Sequence, residues 1–139
     1  MHYLFTDGGS RGNPGPSAIG ALIFDEDHKL VDFTGKYIHI GTNNKAEYLA
    51  LLSGVKLLNK IGINEAICCL DSELVVKQIK KEYKIKDAEI RKMVDLIEIE
   101  LKSFKSITFK HVPRAENHLA DKLVNIILDN VNNENSKDI

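Results

Sequence analysis

"LFTDGGSRGNPGPSAIGALIF", residues 4–24, decides how the chain is read. An apolar run ends on Asp7, a turn rich in glycine and proline follows at once, and a second apolar run starts at Ser17. The two runs predict strands over 2–7 and 17–26, with Asp7 left at the lip of the first and few side chains beside it for cover. A third strand-like stretch, 29–40, follows the short joint "DEDHK" (25–29), so the chain opens as an antiparallel meander.

Beyond this meander the period changes. Ala46, Leu49, Ala50, Leu57, Leu58 and Ile61 recur at helical intervals and Gly62 stops the run, which predicts a helix over 43–60. "AICCLD" (66–71) is a short apolar run ending in an aspartate, as a buried central strand would be, and a helix from Ser72 to about Lys80 follows it. Ile90, Met93, Val94, Ile97 and Leu101 form one stripe of a helix over 88–102, "SITFKHV" (106–112) reads as a strand, and a last helix spans about 115–130. The polar stretch 131–139 has too little apolar surface to offset its ordering entropy and is expected as a disordered tail behind one domain, 1–130. The order of elements predicts an α/β protein: a mixed sheet, antiparallel meander plus parallel strands, flanked by helices.

With 139 residues, 43% of them hydrophobic, the chain has enough material for one compact core. A formal net charge of -1 excludes a globally basic nucleic-acid binder, so any basic surface has to be local. Cys68 and Cys69 are adjacent, too close for an ordinary disulfide and without the spaced partners of a zinc site, which suits a reducing compartment. With no charged leader ahead of an apolar segment and no apolar run of membrane-spanning length, a soluble, cytoplasmic protein with no membrane partner is expected.

Four acids fall at element edges or on a helix: Asp7, Glu47, Asp71 and Asp121. Each of the first three has an ordinary explanation. Asp7 before Gly8 is a turn signal, Glu47 stands three residues after Asn44 as in a capping box, and Asp71 before a helix is a favoured N-cap. Asp121 is harder to dismiss, because Leu119, Ala120, Leu123 and Val124 around it read as the apolar side of its helix, and an acid bordering that stripe needs a partner or a metal. If the strands ending at Asp7 and Asp71 are neighbours, both acids share one rim of the sheet. Carboxylates gathered there would repel one another, and a divalent cation relieves that; an all-oxygen donor set fits magnesium, or manganese, and not zinc.

"TDGGSRGNPGPSAIG" (6–20), "GTNNKAEYLALLSGV" (41–55), "DSELVVKQI" (71–79) and "HVPRAENHLADKLVN" (111–125), in this order and spacing, resemble the type 1 ribonuclease H family. The resemblance covers residues 1 to about 130. It implies the ribonuclease H-like fold with a five-stranded sheet, and an endonuclease that hydrolyses the RNA strand of RNA–DNA hybrids with two Mg2+ ions (Mn2+ as the alternative), leaving 3′-hydroxyl and 5′-phosphate ends. It also implies that Asp7, Glu47, Asp71 and Asp121 are the catalytic, metal-holding set: Asp7 between the ions, Glu47 and Asp71 on the water-activating side or between the sites, and Asp121 on the other ion. A compact member without a separate N-terminal hybrid-binding domain, acting as a monomer, is expected.

RNA differs from DNA at the 2′-hydroxyl, which backbone amides of a glycine turn and side-chain amides such as those of Asn43 and Asn44 can read. The resemblance implies that Ser10, Gly12, Asn13, Asn43 and Asn44 line the minor groove of the hybrid, with Thr42 near a DNA phosphate. The missing side chains at Gly8, Gly9, Gly12 and Gly15 are expected to let the duplex backbone come close. Glu73 departs from the pattern, in which many members carry glutamine. His111, ten residues before Asp121 in a stretch that reads as a loop, resembles the mobile histidine that helps protonate or release product, a role open to a group titrating near neutrality. Its alternative is a strand-end histidine facing solvent. Arg114 is a possible substitute that holds phosphate without exchanging protons, and Asn117 stands where it can orient Asp121 or a bound water.

Residues 77–92 carry a local net charge of +4. Such runs are ordinarily solvated helix faces, but "EYKIKD" (82–87) alternates an aromatic with Lys84 and Lys86 in a stretch that reads as a loop, as a surface tracking a phosphate backbone would. Two other readings stay open: a broader nuclease that also cuts double-stranded RNA, and a noncatalytic nucleic-acid-binding module.

Overall fold

The computed structural model describes the backbone of residues 1–137 and the side chains of residues 1–131. Strands β1 (His2–Ser10), β2 (Gly15–Phe24) and β3 (Leu30–Gly41) form the meander, followed by α1 (Asn43–Lys60), β4 (Glu65–Leu70), α2 (Glu73–Ile79), α3 (Ala88–Leu101), β5 (Ser106–His111), a short 3-10 turn (Arg114–Asn117) and α4 (His118–Lys137). The five strands lie in the order β3-β2-β1-β4-β5, antiparallel through the meander and parallel from β1 through β4 to β5. This is the expected mixed sheet. Among the described residues no helix is long and apolar enough to cross a membrane.

Local chemistry explains the turns. In the joint between β2 and β3 the Asp25 carboxylate accepts from the amides of Asp27 and Lys29, at 2.9 and 3.0 Å, and closes the hairpin. The helix stop expected at Gly62 is real: its φ is +83°, a conformation glycine takes without strain, and its amide donates to Asn59 O.

Helices cover both faces of the sheet. Gly54 of α1 sits on Leu4 and Thr6 of β1, while Gly20 and Gly35 of the meander lie against Leu123 of α4 on the opposite face. The main core lies between the sheet and α1, α2 and α3, with Leu4, Ile23, Tyr48, Leu51, Val55, Leu58, Val75, Val94 and Ile97 buried in it. Because α1 is packed between the sheet and α3, it buries more than the stripe its period predicts: Tyr48, Leu51 and Val55 are fully enclosed, whereas Ile61, at the end of that stripe, is 37% exposed.

Two boundaries and one loop reading differ from expectation. β1 runs to Ser10, because its pairing with β2 persists from Tyr3↔Phe24 to Ser10↔Ser17, whereas its pairing with β4 stops at Phe5↔Cys69. Asp7 therefore stands where the β1–β4 seam opens and not at the end of a strand. His111 is the exposed last residue of β5, paired with Leu70, as the strand reading of 106–112 and the strand-end reading of His111 expected, and the loop reading of its stretch does not hold. Finally, α4 continues to Lys137, into the stretch expected as a disordered tail; "DNVNNENSK" contains neither glycine nor proline to stop it. Of that expected tail, residues 138–139 lie outside the described residues.

Candidate active site

The opening of the β1–β4 seam gathers the acids. One carboxylate oxygen from each of Asp7, Glu47 and Asp71 lies within 4.8 Å of the other two. None of the three is used as its ordinary explanation requires. The N-cap of α1 is Thr42, whose hydroxyl accepts from the Lys45 amide, so Glu47 lies beyond the first turn and closes no capping box. The N-cap of α2 is Ser72, accepting from Val75 N at 3.3 Å, which leaves the Asp71 carboxylate free of that duty.

The acids line a groove of about 390 Å³ together with Gly8, Gly9, Ser10, Arg11, Asn43, Arg114, Asp121 and Asn125. Asp7 is paired across the sheet with Gly20, over which the carbonyl of Ala120 in α4 passes, so Asp121 reaches the groove from the first turn of that helix. Its carboxylate lies 3.5 Å from Arg114 Nη2 and 3.5 Å from Asn125 Nδ2.

Burial and mutual repulsion hold the carboxyls of Asp7 and Glu47 far above the usual range. Burial, then the charges of Asp71 and Asp121, push Asp7 up to about 7, against a smaller opposing effect of the Gly8 amide. Burial and the charges of Asp7 and Asp71 push Glu47 up to about 9. Asp71 is raised too, chiefly by burial, with the Asn117 amide and Arg114 opposing. Glu47 Oε2 is shut from solvent and has no hydrogen-bond partner. A buried carboxyl oxygen without a partner, in an all-oxygen cluster, is what a hard divalent cation would satisfy once its proton is displaced.

Comparison with known proteins agrees with this arrangement. The family described as reverse transcriptase-like matches residues 5–127. A bifunctional protein of Mycobacterium tuberculosis is 40% identical over 124 residues, 88% of this chain and 34% of its own length. The N-terminal RNase H domain solved from Mycobacterium tuberculosis superimposes with a TM-score of 0.87 at 38% identity, over 89% of this chain and 95% of that one. Ribonuclease HI of Halobacterium salinarum is 38% identical over 91% of this chain and 64% of its own length, and a Halobacterium salinarum RNase H1 structure superimposes with a TM-score of 0.90 at 36% identity, over 93% of this chain and 98% of that one. The chain belongs to the ribonuclease H family. A further member, LC11-RNase H1, was solved in complex with an RNA/DNA hybrid and superimposes with a TM-score of 0.88 at 35% identity, covering 94% of this chain and 99% of that one. This chain spans about a third of the length of the mycobacterial relative and 64% of the halobacterial one.

Against this ribonuclease H frame the expected substrate residues separate into groups. Gly8, Ser10, Asn43 and Arg114 line the acid groove. Asn43 is fixed there: its Oδ1 accepts from Ser10 N at 2.9 Å, and its backbone N–H donates to Asn13 Oδ1 at 3.0 Å, while the Ser10 hydroxyl donates to Gly12 O at 2.6 Å. Thr42 and Asn44 instead line a second hollow with Lys45, Asp87, Ala88, Glu89 and Ile90, where α1 and α3 begin. Glu73 is exposed in the first turn of α2, outside both hollows, and Lys84 and Lys86 are exposed on the segment joining α2 to α3. His111 is exposed and does not line the groove; Arg114 does.

Three expectations need correction. Gly8 is not bare in order to admit a ligand: a Cβ there would lie 2.2 Å from the backbone of Ala46, so α1 itself requires the glycine. Gly15 is likewise filled, by Arg11 O at 2.0 Å from such a Cβ, whereas a Cβ on Gly9 would meet nothing nearer than 3.9 Å. Asn117, fully buried, does not reach for Asp121; its Nδ2 donates to Thr6 O at 2.8 Å, and its amide acts on Asp71. Leu119, expected on the buried side of α4, is 45% exposed. Sequence reasoning passed over Arg11, which lines the groove while paired with Asp129 at 2.6 Å, and Asn125, one turn beyond Asp121. The i, i+4 spacing of Asn125 from Asp121 was the signal available for the second.

Proposed function

We propose that the chain is a metal-dependent endoribonuclease that hydrolyses the RNA strand of RNA–DNA hybrids. The observation that carries this reading is the convergence of Asp7, Glu47 and Asp71 where the β1–β4 seam opens, with Asp121 in the same groove. Membership of the ribonuclease H family and the likeness to a member solved with an RNA/DNA hybrid support the substrate.

Asp7, Glu47, Asp71 and Asp121 would hold two Mg2+ ions, with Mn2+ as the alternative. When bound, such ions supply positive charge that makes water a competent nucleophile near neutral pH and stabilises the oxygens of the scissile phosphate. The carboxylates act as ligands, so they have to lose the protons that burial and repulsion favour on Asp7 and Glu47. Arg114 neutralises phosphate charge from the wall of the groove, and Asn117, fixed to β1 through Thr6 O, favours the ionised form of Asp71. Gly9, Ser10 and Asn43 form the edge on which the RNA 2′-hydroxyls are read, with Thr42 and Asn44 taking the neighbouring DNA strand. Lys84 and Lys86, which have no ion pair among the described residues, track a phosphate backbone. His111, outside the groove, assists product release only from its rim. The buried free thiols of Cys68 and Cys69 fit a cytoplasmic setting, and we read the functional unit as a monomer.

Mass spectrometry of the cleaved RNA tests the chemistry. Attack of water on phosphorus with loss of the 3′ oxygen predicts 5′-phosphate and 3′-hydroxyl ends, in magnesium or manganese and not in chelator. A 2′,3′-cyclic phosphate would show the 2′-hydroxyl to be the nucleophile and overturn the assignment.

A further inference from the structure

The lysine-bearing segment between α2 and α3 is neither helix nor strand, yet it is tied to the core by a directional hydrogen-bond chain. Tyr48, adjacent to Glu47 on α1, is completely buried, and its hydroxyl donates to Gln78 Oε1. Gln78, in the last turn of α2, passes the chain on: its Nε2 donates to the carbonyl of Lys84 at 3.1 Å. Both ends of the Gln78 amide are thereby specified, oxygen toward a donor and nitrogen toward an acceptor. The backbone on the near side is pinned as well, with Lys81 N donating to Gln78 O at 3.1 Å and Glu82 N to Lys77 O at 2.9 Å, and Ile85 packs on the core.

We propose that Tyr48 and Gln78 are positioning residues for substrate binding, holding Lys84 and Lys86 in a preset place relative to the helix that carries Glu47. The inference rests on the ribonuclease reading above. Without the tie, the lysines have to be ordered when the duplex binds, so the loss falls on affinity and not on the chemical step. Tyr48→Phe deletes the donor alone. Gln78→Glu keeps the shape but turns an acceptor toward the Lys84 carbonyl.

Steady-state cleavage of an RNA–DNA hybrid, read at several salt concentrations, tests the role. Gln78→Ala and Gln78→Glu are expected to raise KM roughly fivefold, the scale of one lost hydrogen bond, with kcat within about twofold of wild type. In a Lys84→Ala/Lys86→Ala background the same substitutions are expected to change KM by less than about twofold, because the groups they position are gone. An equal KM change in both backgrounds, or a loss confined to kcat, overturns the proposal. Hydrogen exchange of the amides of 83–87 in the protein without nucleic acid reads the tie independently of any activity. Tyr48→Phe and Gln78→Ala are expected to speed exchange there roughly fivefold, for the same lost bond, and not in β4. Unchanged exchange overturns the tie even where cleavage persists; faster exchange in a protein whose wild type cuts no hybrid upholds the tie and refutes only the ribonuclease reading.

Discussion

A carboxyl in the acid cluster is governed by what surrounds it. Asp7 and Glu47 have ordinary values of 3.8 and 4.5 but are held at about 7 and about 9 when folded, so the metal-free folded chain binds protons more tightly than the unfolded one. Their contribution to stability is therefore complete below the unfolded values and is lost as pH rises through the folded ones. In chelator, the melting temperature is expected to fall between about pH 5 and pH 9, by several degrees at the few °C per kcal/mol of a domain this size. Saturating Mg2+ should reverse most of that fall, since a ligand at about a hundred times its Kd contributes about 2.7 kcal/mol. Asp7→Asn removes one of the repelling charges: the pH dependence in chelator should flatten, while kcat drops by roughly a hundredfold or more, the scale of losing one preorganised electrostatic group. Calorimetric melting across pH and single-turnover cleavage read the two effects separately. Asn117→Ala, which leaves the Thr6 carbonyl without its partner, should cost about 1–3 kcal/mol in a urea titration. The sequence shows that Asn117 stands one turn before Asp121; it cannot show that the amide turns instead to β1, because that depends on how α4 lies across the sheet.

The glycines beside Asp7 distinguish packing from access at the level of elements. α1 crosses β1 so closely that Gly8 has no room for a Cβ, whereas Gly9, the next residue, faces the groove with space to spare. Gly8→Ala is expected to displace α1 and cost about 1–3 kcal/mol, the usual penalty of overpacking. Gly9→Ala should change stability by less than about 0.5 kcal/mol yet weaken hybrid binding, because its methyl would stand in the groove. Denaturant midpoints and hybrid-binding anisotropy, measured on both variants, check the contrast. The elements themselves were legible because strand and helix periods are local: all five strands and the four helices fall where the apolar pattern puts them. Their ends were less legible. β1 outlasts its expected end because β2 continues to pair with it, Thr42 and Ser72 take the caps that Glu47 and Asp71 could have served, and α4 runs on for want of a breaker.

Across the whole molecule, the strand order β3-β2-β1-β4-β5 puts Asp7 on β1 and Asp71 just past the end of its parallel neighbour β4, and α1 and α4, on opposite faces, bring Glu47 and Asp121 to the same opening. The acids were legible in the sequence because each stands within or directly beside a strongly patterned element. Arg11, and the Tyr48–Gln78 tie to Lys84, were not, since they join segments whose proximity is created only by folding. The most direct measurement of the central claim is cleavage of end-labelled RNA–DNA, RNA–RNA and DNA–DNA duplexes of one sequence, in magnesium, manganese or chelator, by wild type and Asp7→Asn. The account predicts metal-dependent cutting of the RNA strand in the hybrid, weakened roughly a hundredfold or more in Asp7→Asn, with the RNA–RNA lane fixing the breadth of the substrate range. A wild-type protein that binds the hybrid and cuts nothing in either metal would contradict it, and would make the groove a nucleic-acid-binding site without chemistry.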